Sequence, residues 1–114
     1  MAETQTTAER VGRNDAIFRE ANEGIQRAAR EYSIDGSLPF ICECPVPSCH
    51  EIVRLDLAAY EAIRAVPTHF VNAPGHYEAA EGWATLVESR DGYDLVEKVG
   101  RAADLAEELD PRSE

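Results

Sequence analysis

Hydrophobic positions in the first third of the chain recur with a helical period. Val11, Phe18, Ile25 and Tyr32 stand seven residues apart, and Ala21 and Ala28 follow Phe18 and Ile25 by three. Asn14 takes the equivalent place after Val11. Large residues at one heptad position and small ones at the next form an a/d stripe, which predicts a helix over residues 8–32. Arg13, Glu20, Glu23, Arg27 and Arg30 fall opposite the stripe and suit a solvated face. Gly24 weakens such a helix by about 1 kcal/mol relative to alanine. The stripe has two readings. It is the core-facing side of an ordinary amphipathic helix, or Val11, Phe18, Ile25 and Tyr32 form a seam for self-association or a partner protein. The strict seven-residue period favours the seam, because a helix packed only on a globular core drifts toward 3.6.

Beyond Tyr32 the pattern shortens. Asp35-Gly36 marks a turn, Phe40 and Ile41 start a short strand, and residues 51–55 alternate as the returning strand. Asp56 is placed to cap a helix over 57–66, with Leu57, Tyr60, Ile63 and Val66 as its apolar face and Pro67 as its stop. A third strand is expected over 68–72. Pro74-Gly75 then suits a type II turn, and residues 77–82 read as irregular. Strands over 83–88 and 93–97 are joined across Arg90-Asp91-Gly92. A three-residue loop there sets Leu86 opposite Val96 and Val87 opposite Leu95. A two-residue loop puts Glu88 opposite Leu95 and is disfavoured on that ground. A last helix covers 101–109. The expected organisation is a polar, disordered N-terminus over 1–7, one domain over 8–110, and a tail over 111–114.

Composition narrows the possibilities. A chain of 114 residues builds one domain with a thin core, so a metal or dimerisation is a plausible staple. With 22 acidic against 11 basic side chains the formal charge is −11, which repels phosphate backbones and argues against direct nucleic-acid binding. It suits a protein partner instead. The opening residues have neither the basic nor the apolar region of a signal peptide, and no stretch reaches the length of a membrane span. Three cysteines cannot all pair within one chain. Together these features predict a cytoplasmic protein with reduced thiols.

The cysteines carry the chemistry. All three lie in the run Cys42-Glu-Cys44-Pro-Val-Pro-Ser-Cys49. In an extended chain Cys42 and Cys44 present both sulfurs on one face, and Pro45 and Pro47 stiffen the loop that returns Cys49. Clustered thiols of this kind suit zinc, which takes thiolate and imidazole ligands in a tetrahedron. A fourth ligand must come from elsewhere. His76 follows a tight turn able to aim its ring inward and is preferred. His50 adjoins Cys49 and would have to bend the backbone, and His69 falls in an expected strand. Glu43 and Glu51 are harder donors than zinc prefers beside thiolates. The contrary reading is three unligated thiols packed as small hydrophobes.

Catalytic signatures are missing. His50-Glu51 is followed by Arg54 where H-E-x-x-H needs its second histidine, and the deaminase pattern H-x-E with P-C-x-x-C does not occur. No G-x-S-x-G elbow and no phosphate-binding glycine loop is present. The leading functional expectation is a non-enzymatic interaction or regulatory module. Alternatives are a zinc–thiolate redox switch, a DNA-mimicking inhibitor carried by the acidic charge, and a zinc hydrolase using Glu43 or Glu51 as base.

The order of these segments resembles a group of small bacterial proteins of unassigned function. The likeness rests on an N-E-x-I helix (Asn22-Glu23-Gly24-Ile25), the C-x-C-x4-C run and the P-G-H turn, and spans roughly residues 18–100. It implies Cys42, Cys44, Cys49 and His76 as the ligand set and brings no activity with it. The expected fold is α+β: a small antiparallel sheet with a zinc knuckle, a long N-terminal helix, a middle helix and a C-terminal helix.

Overall fold

A helix of 24 residues, α1 (Ala8–Glu31), leads the chain, with Glu9 in its first turn and Arg30 in its last, both favourable to the helix dipole. The computed structural model describes residues 8–112. The expectation for residues 1–7, and that for Ser113 and Glu114, falls outside them. Beyond Glu31 the chain reverses at Ser33, whose φ of 53° is left-handed, while the Ile34 amide donates to the Ala29 carbonyl at 2.9 Å. This six-to-one bond is the Schellman ending of a helix, here built without glycine.

Strands β1 (Leu38–Ile41) and β2 (Ile52–Leu55) then pair antiparallel, with Phe40 opposite Val53 and Leu38 opposite Leu55. Asp56 caps α2 (Leu57–Arg64) as its position implied, accepting from the Ala59 amide at 2.8 Å. Tyr60 and Ile63 of α2 are buried, and Tyr60 stacks on Phe40 at 4.3 Å. Val66 lies beyond the helix and is exposed; Arg64 is buried instead.

The second sheet has strand order β3-β5-β4, from β3 (His69–Asn72), β4 (Ala84–Arg90) and β5 (Tyr93–Lys98), all antiparallel. The β4–β5 register differs from expectation. Leu86 does face Val96, but Glu88 faces Leu95 and Arg90 faces Tyr93, so the loop is Asp91-Gly92 alone. A bulge between Leu86 and Glu88 takes up the extra residue, Val87. It reconciles the two registers, because one added residue returns Leu86 to Val96 without lengthening the turn. Residues 76–80 form a short 3-10 helix where irregular chain was expected. The last helix, α3 (Gly100–Glu108), packs along α1 so closely that a Cβ on Gly12 would stand 2.8 Å from Leu105 Cβ.

Two small antiparallel sheets and three α-helices among the described residues make this an α+β protein, with α1 packed against α3 and β1. One apolar cluster joins Phe40, Tyr60, Val53 and Ile63 to Cys42 and Cys44. A smaller one gathers Val11, Ala80 and Ala102.

The buried side of α1 is unexpectedly polar. Asp15, Arg19, Asn22, Glu23 and Gln26 are all buried, whereas Ile17 is 65% exposed. Glu23, expected on a solvated face, lies in the interior, accepting from Tyr60 Oη at 2.6 Å, Arg64 Nε at 3.1 Å and Arg112 Nε at 2.5 Å. Burial alone pushes its carboxyl upward, but hydrogen bonds from Arg112, Tyr60 and Arg64 hold it down to about 2. Arg112, in the expected tail, also grips Glu61 at 2.8 Å. Asp15 meets Lys98 Nζ at 2.7 Å, yet neither group has an aligned hydrogen bond among the described residues. Burial pushes the Asp15 carboxyl up to about 7 against the pull of Lys98.

Candidate metal centre

The first two ligands leave β1 in extended chain. The Cys42 amide donates to the Glu51 carbonyl at 3.0 Å and the Glu43 amide to the Val71 carbonyl at 2.8 Å, so the cysteine segment is stitched between β2 and β3. After Cys44 the prolines turn the loop. The Cys49 amide closes it on the Val46 carbonyl at 3.0 Å. The fourth ligand arrives from the far side of β3. Gly75 takes a left-handed φ of 83° after Pro74, the glycine conformation of a type II turn, and the His76 amide bonds back to the Ala73 carbonyl at 3.0 Å. Asp94 holds this turn by accepting from the Gly75 amide at 2.9 Å.

Four donor atoms converge. Those of Cys42, Cys44, Cys49 and His76 all lie within 4.8 Å of one another. His76 Nδ1 stands 3.5 Å from Cys42 Sγ and 3.6 Å from Cys49 Sγ. Zinc bonds of about 2.3 Å to sulfur and about 2.0 Å to nitrogen give tetrahedral S···N edges of about 3.5 Å. Both S···N spacings therefore fit the edges of a coordination sphere. Cys42 and Cys44 are buried, Cys49 and His76 half-buried, and all three thiols are free of disulfides. The other two histidines lie outside the cluster: His50 is exposed and His69 sits in β3.

The surroundings favour thiolate most at Cys44. The Ala73 amide donates to Cys42 Sγ at 3.1 Å, a bond suited to a charged sulfur. Hydrogen bonding from Cys42 holds the Cys44 thiol down to about 5 against the upward push of burial. Cys42 is raised in turn, first by that same hydrogen bond and then by burial, and burial also raises Cys49.

Glu43 stands between two ligands yet turns away from them. Its carboxylate accepts from Arg19 Nη2 at 3.1 Å, Asn22 Nδ2 at 2.9 Å and the Val71 amide at 3.1 Å. These bonds occupy it fully, so it is not poised as a base. Glu51 is exposed and outside the donor cluster.

Arg19 and Asn22 are the residues that sequence reasoning missed. Arg19 also donates to the carbonyls of Pro67 and His69 and lies 3.6 Å from the Phe70 ring centroid. Asn22 pairs with both backbone groups of Ile41, donating to its carbonyl and accepting from its amide, each at 2.8 Å. It extends β1 as a neighbouring strand would. The one available signal was the N-E-x-I motif, whose first position is Asn22; Arg19 lies outside it.

The four residues expected to bind a partner separate. Val11 is buried in the smaller cluster, Phe18 is half-buried, Ile25 packs partly on the larger core, and Tyr32 is 70% exposed beyond the end of α1. No described helix is long and apolar enough to cross a membrane. No family model, no curated protein and no solved structure matches this chain.

Proposed function

We propose that this chain is a small zinc-stapled protein acting as a non-enzymatic interaction or regulatory module in the cytoplasm. The convergence of three sulfurs and one imidazole nitrogen within 4.8 Å supports it most directly. Four protein donors complete a tetrahedron and leave no position for substrate or water, which is the arrangement of a structural zinc site. A thiolate-rich set with one imidazole suits zinc above the harder divalent cations. The occupied Glu43 carboxylate weighs against the hydrolase reading.

The test is metal analysis of protein expressed with supplementary zinc. About one zinc per chain is expected, and Cys42→Ser or Cys44→Ser should lose it together with the fold. Zinc well below one per chain in the purified wild type would end the reading.

The half-buried position of Cys49 favours a second reading, a zinc–thiolate redox switch. Its sulfur is the outermost of the three and would be the first to meet an oxidant. Oxidation of two thiols to a disulfide, with peroxide reduced to water, would leave too few donors for the metal. Zinc release under mild peroxide, reversed by thiol reductant, supports this reading; retention of the metal removes it.

A further inference from the structure

Away from the metal centre, the most exposed large aliphatic side chain among the described residues is Ile17, at 65%. It lies where α1 and α3 run side by side in the same direction. Arg101 reaches Glu9 at 3.6 Å, Leu105 abuts Gly12, and one turn later Leu109 comes level with Ala16 and Ile17. Leu109 is itself 41% exposed. Together with Arg13 and Glu20 these residues line an open groove of about 440 Å³. Leaving two large aliphatic groups partly in water forgoes the apolar burial that would stabilise a contact there.

The charges beside Ile17 say what fits there. Arg13 precedes it by four residues and Glu20 follows it by three, so they stand about 10 Å apart along the helix with Ile17 between them. Both are exposed, and neither makes an ion pair among the described residues. Such a face complements itself. A second copy crossing antiparallel at Ile17 sets Arg13 of each chain against Glu20 of the other, and the two Ile17 side chains cover one another. Long-range charge agrees. α1 carries five arginines and five acidic residues, whereas the whole chain has a formal charge of −11. Two copies therefore meet with least repulsion along α1. A purely basic partner would meet Arg13 unfavourably.

We infer that the face centred on Ile17 and Leu109 is a homodimer interface, two copies related by a two-fold axis passing beside Ile17. This rests on the interaction-module reading and names its partner; it does not depend on the metal assignment. It also moves the contact off the Val11–Tyr32 stripe, much of which faces the chain's own interior.

Sedimentation of the zinc-loaded full chain, from micromolar to near-millimolar concentration, tests it. The wild type should pass from monomer to dimer. Ile17→Glu should stay monomeric with unchanged zinc content and helical signal. Arg13→Glu alone and Glu20→Arg alone should each weaken the dimer by roughly tenfold, because each sets like charges together twice. Mixing those two variants should give a heterodimer tighter than either homodimer, since both cross-pairs are then opposite in sign. A wild type monomeric at every concentration overturns the inference. So does an Ile17→Glu variant that dimerises normally, or a mixture no tighter than its components. Zinc content, measured on the same samples, separates failure here from failure of the metal reading.

Discussion

Arg19 and Glu43 form an ion pair at 3.1 Å with side chains 2% and 0% exposed, and Glu43 is the residue between ligands Cys42 and Cys44. The long helix is thereby bound to the cysteine loop through a charge that water does not reach. Such a pair contributes little relative to an apolar replacement but is costly to break from one side. Glu43→Ala should destabilise the zinc-loaded protein by about 4 kcal/mol in urea unfolding. Zinc affinity should fall with it by about tenfold or more, since the ligand loop loses its support. Unchanged affinity would mean that the pair only holds the helix.

His76 turns Nδ1 toward the cysteines, 3.5 Å from Cys42 Sγ, so that atom would be its donor to a metal. In zinc-loaded protein its proton should therefore sit on Nε2, as read by long-range nitrogen–proton correlation spectra. His76→Ala should lower zinc affinity far more than His50→Ala or His69→Ala. Equal losses from His50→Ala would move the fourth ligand.

Glu23 gathers Tyr60, Arg64 and Arg112 around one carboxylate. Glu23→Gln takes one of two counter-charges from Arg64 and from Arg112, which keep Asp110 and Glu61, and should cost about 2 kcal/mol near neutral pH. Because the folded carboxyl is held at about 2, below its ordinary 4.5, its contribution is present above pH 4.5 and is lost as pH falls toward 2. The gap between wild type and variant should hold constant from pH 7 to about 5 and narrow below that. A gap independent of pH would show that Glu23 acts by packing alone.

Gly12 lets α1 and α3 approach, since any Cβ there would collide with Leu105. Gly12→Ala should destabilise by about 2 kcal/mol despite the better helix propensity of alanine. Pairing it with Leu105→Gly, which removes the colliding Cβ, should recover part of the loss, a non-additive result in a double-mutant cycle. Simple additivity would mean the helices part without strain.

The convergence of Cys42, Cys44, Cys49 and His76 and the order of elements were legible in the chain because both follow from local constraints. Two cysteines two apart in extended chain, stiff prolines before a third, and Pro-Gly ahead of His76 are short-range constraints that any fold must respect. The caps and breakers Asp56 and Pro67 act within one turn of helix. What lies inside was decided only by the tertiary structure. Of Asp15, Arg19, Asn22 and Glu23, which line the buried side of α1, only Glu23 was given a place from sequence, on a solvated face, because polarity alone does not reveal whether a partner waits across the interior. Their partners are Lys98, Glu43, the Ile41 backbone and Tyr60, each far away in sequence and near only once both sheets have formed. The bulge at Val87 has the same origin: hairpin turn and sheet register are separate preferences, and packing over the whole sheet reconciled them with one extra residue. The outward turn of Ile17 follows too, since a helix that buries its polar side must expose what is left.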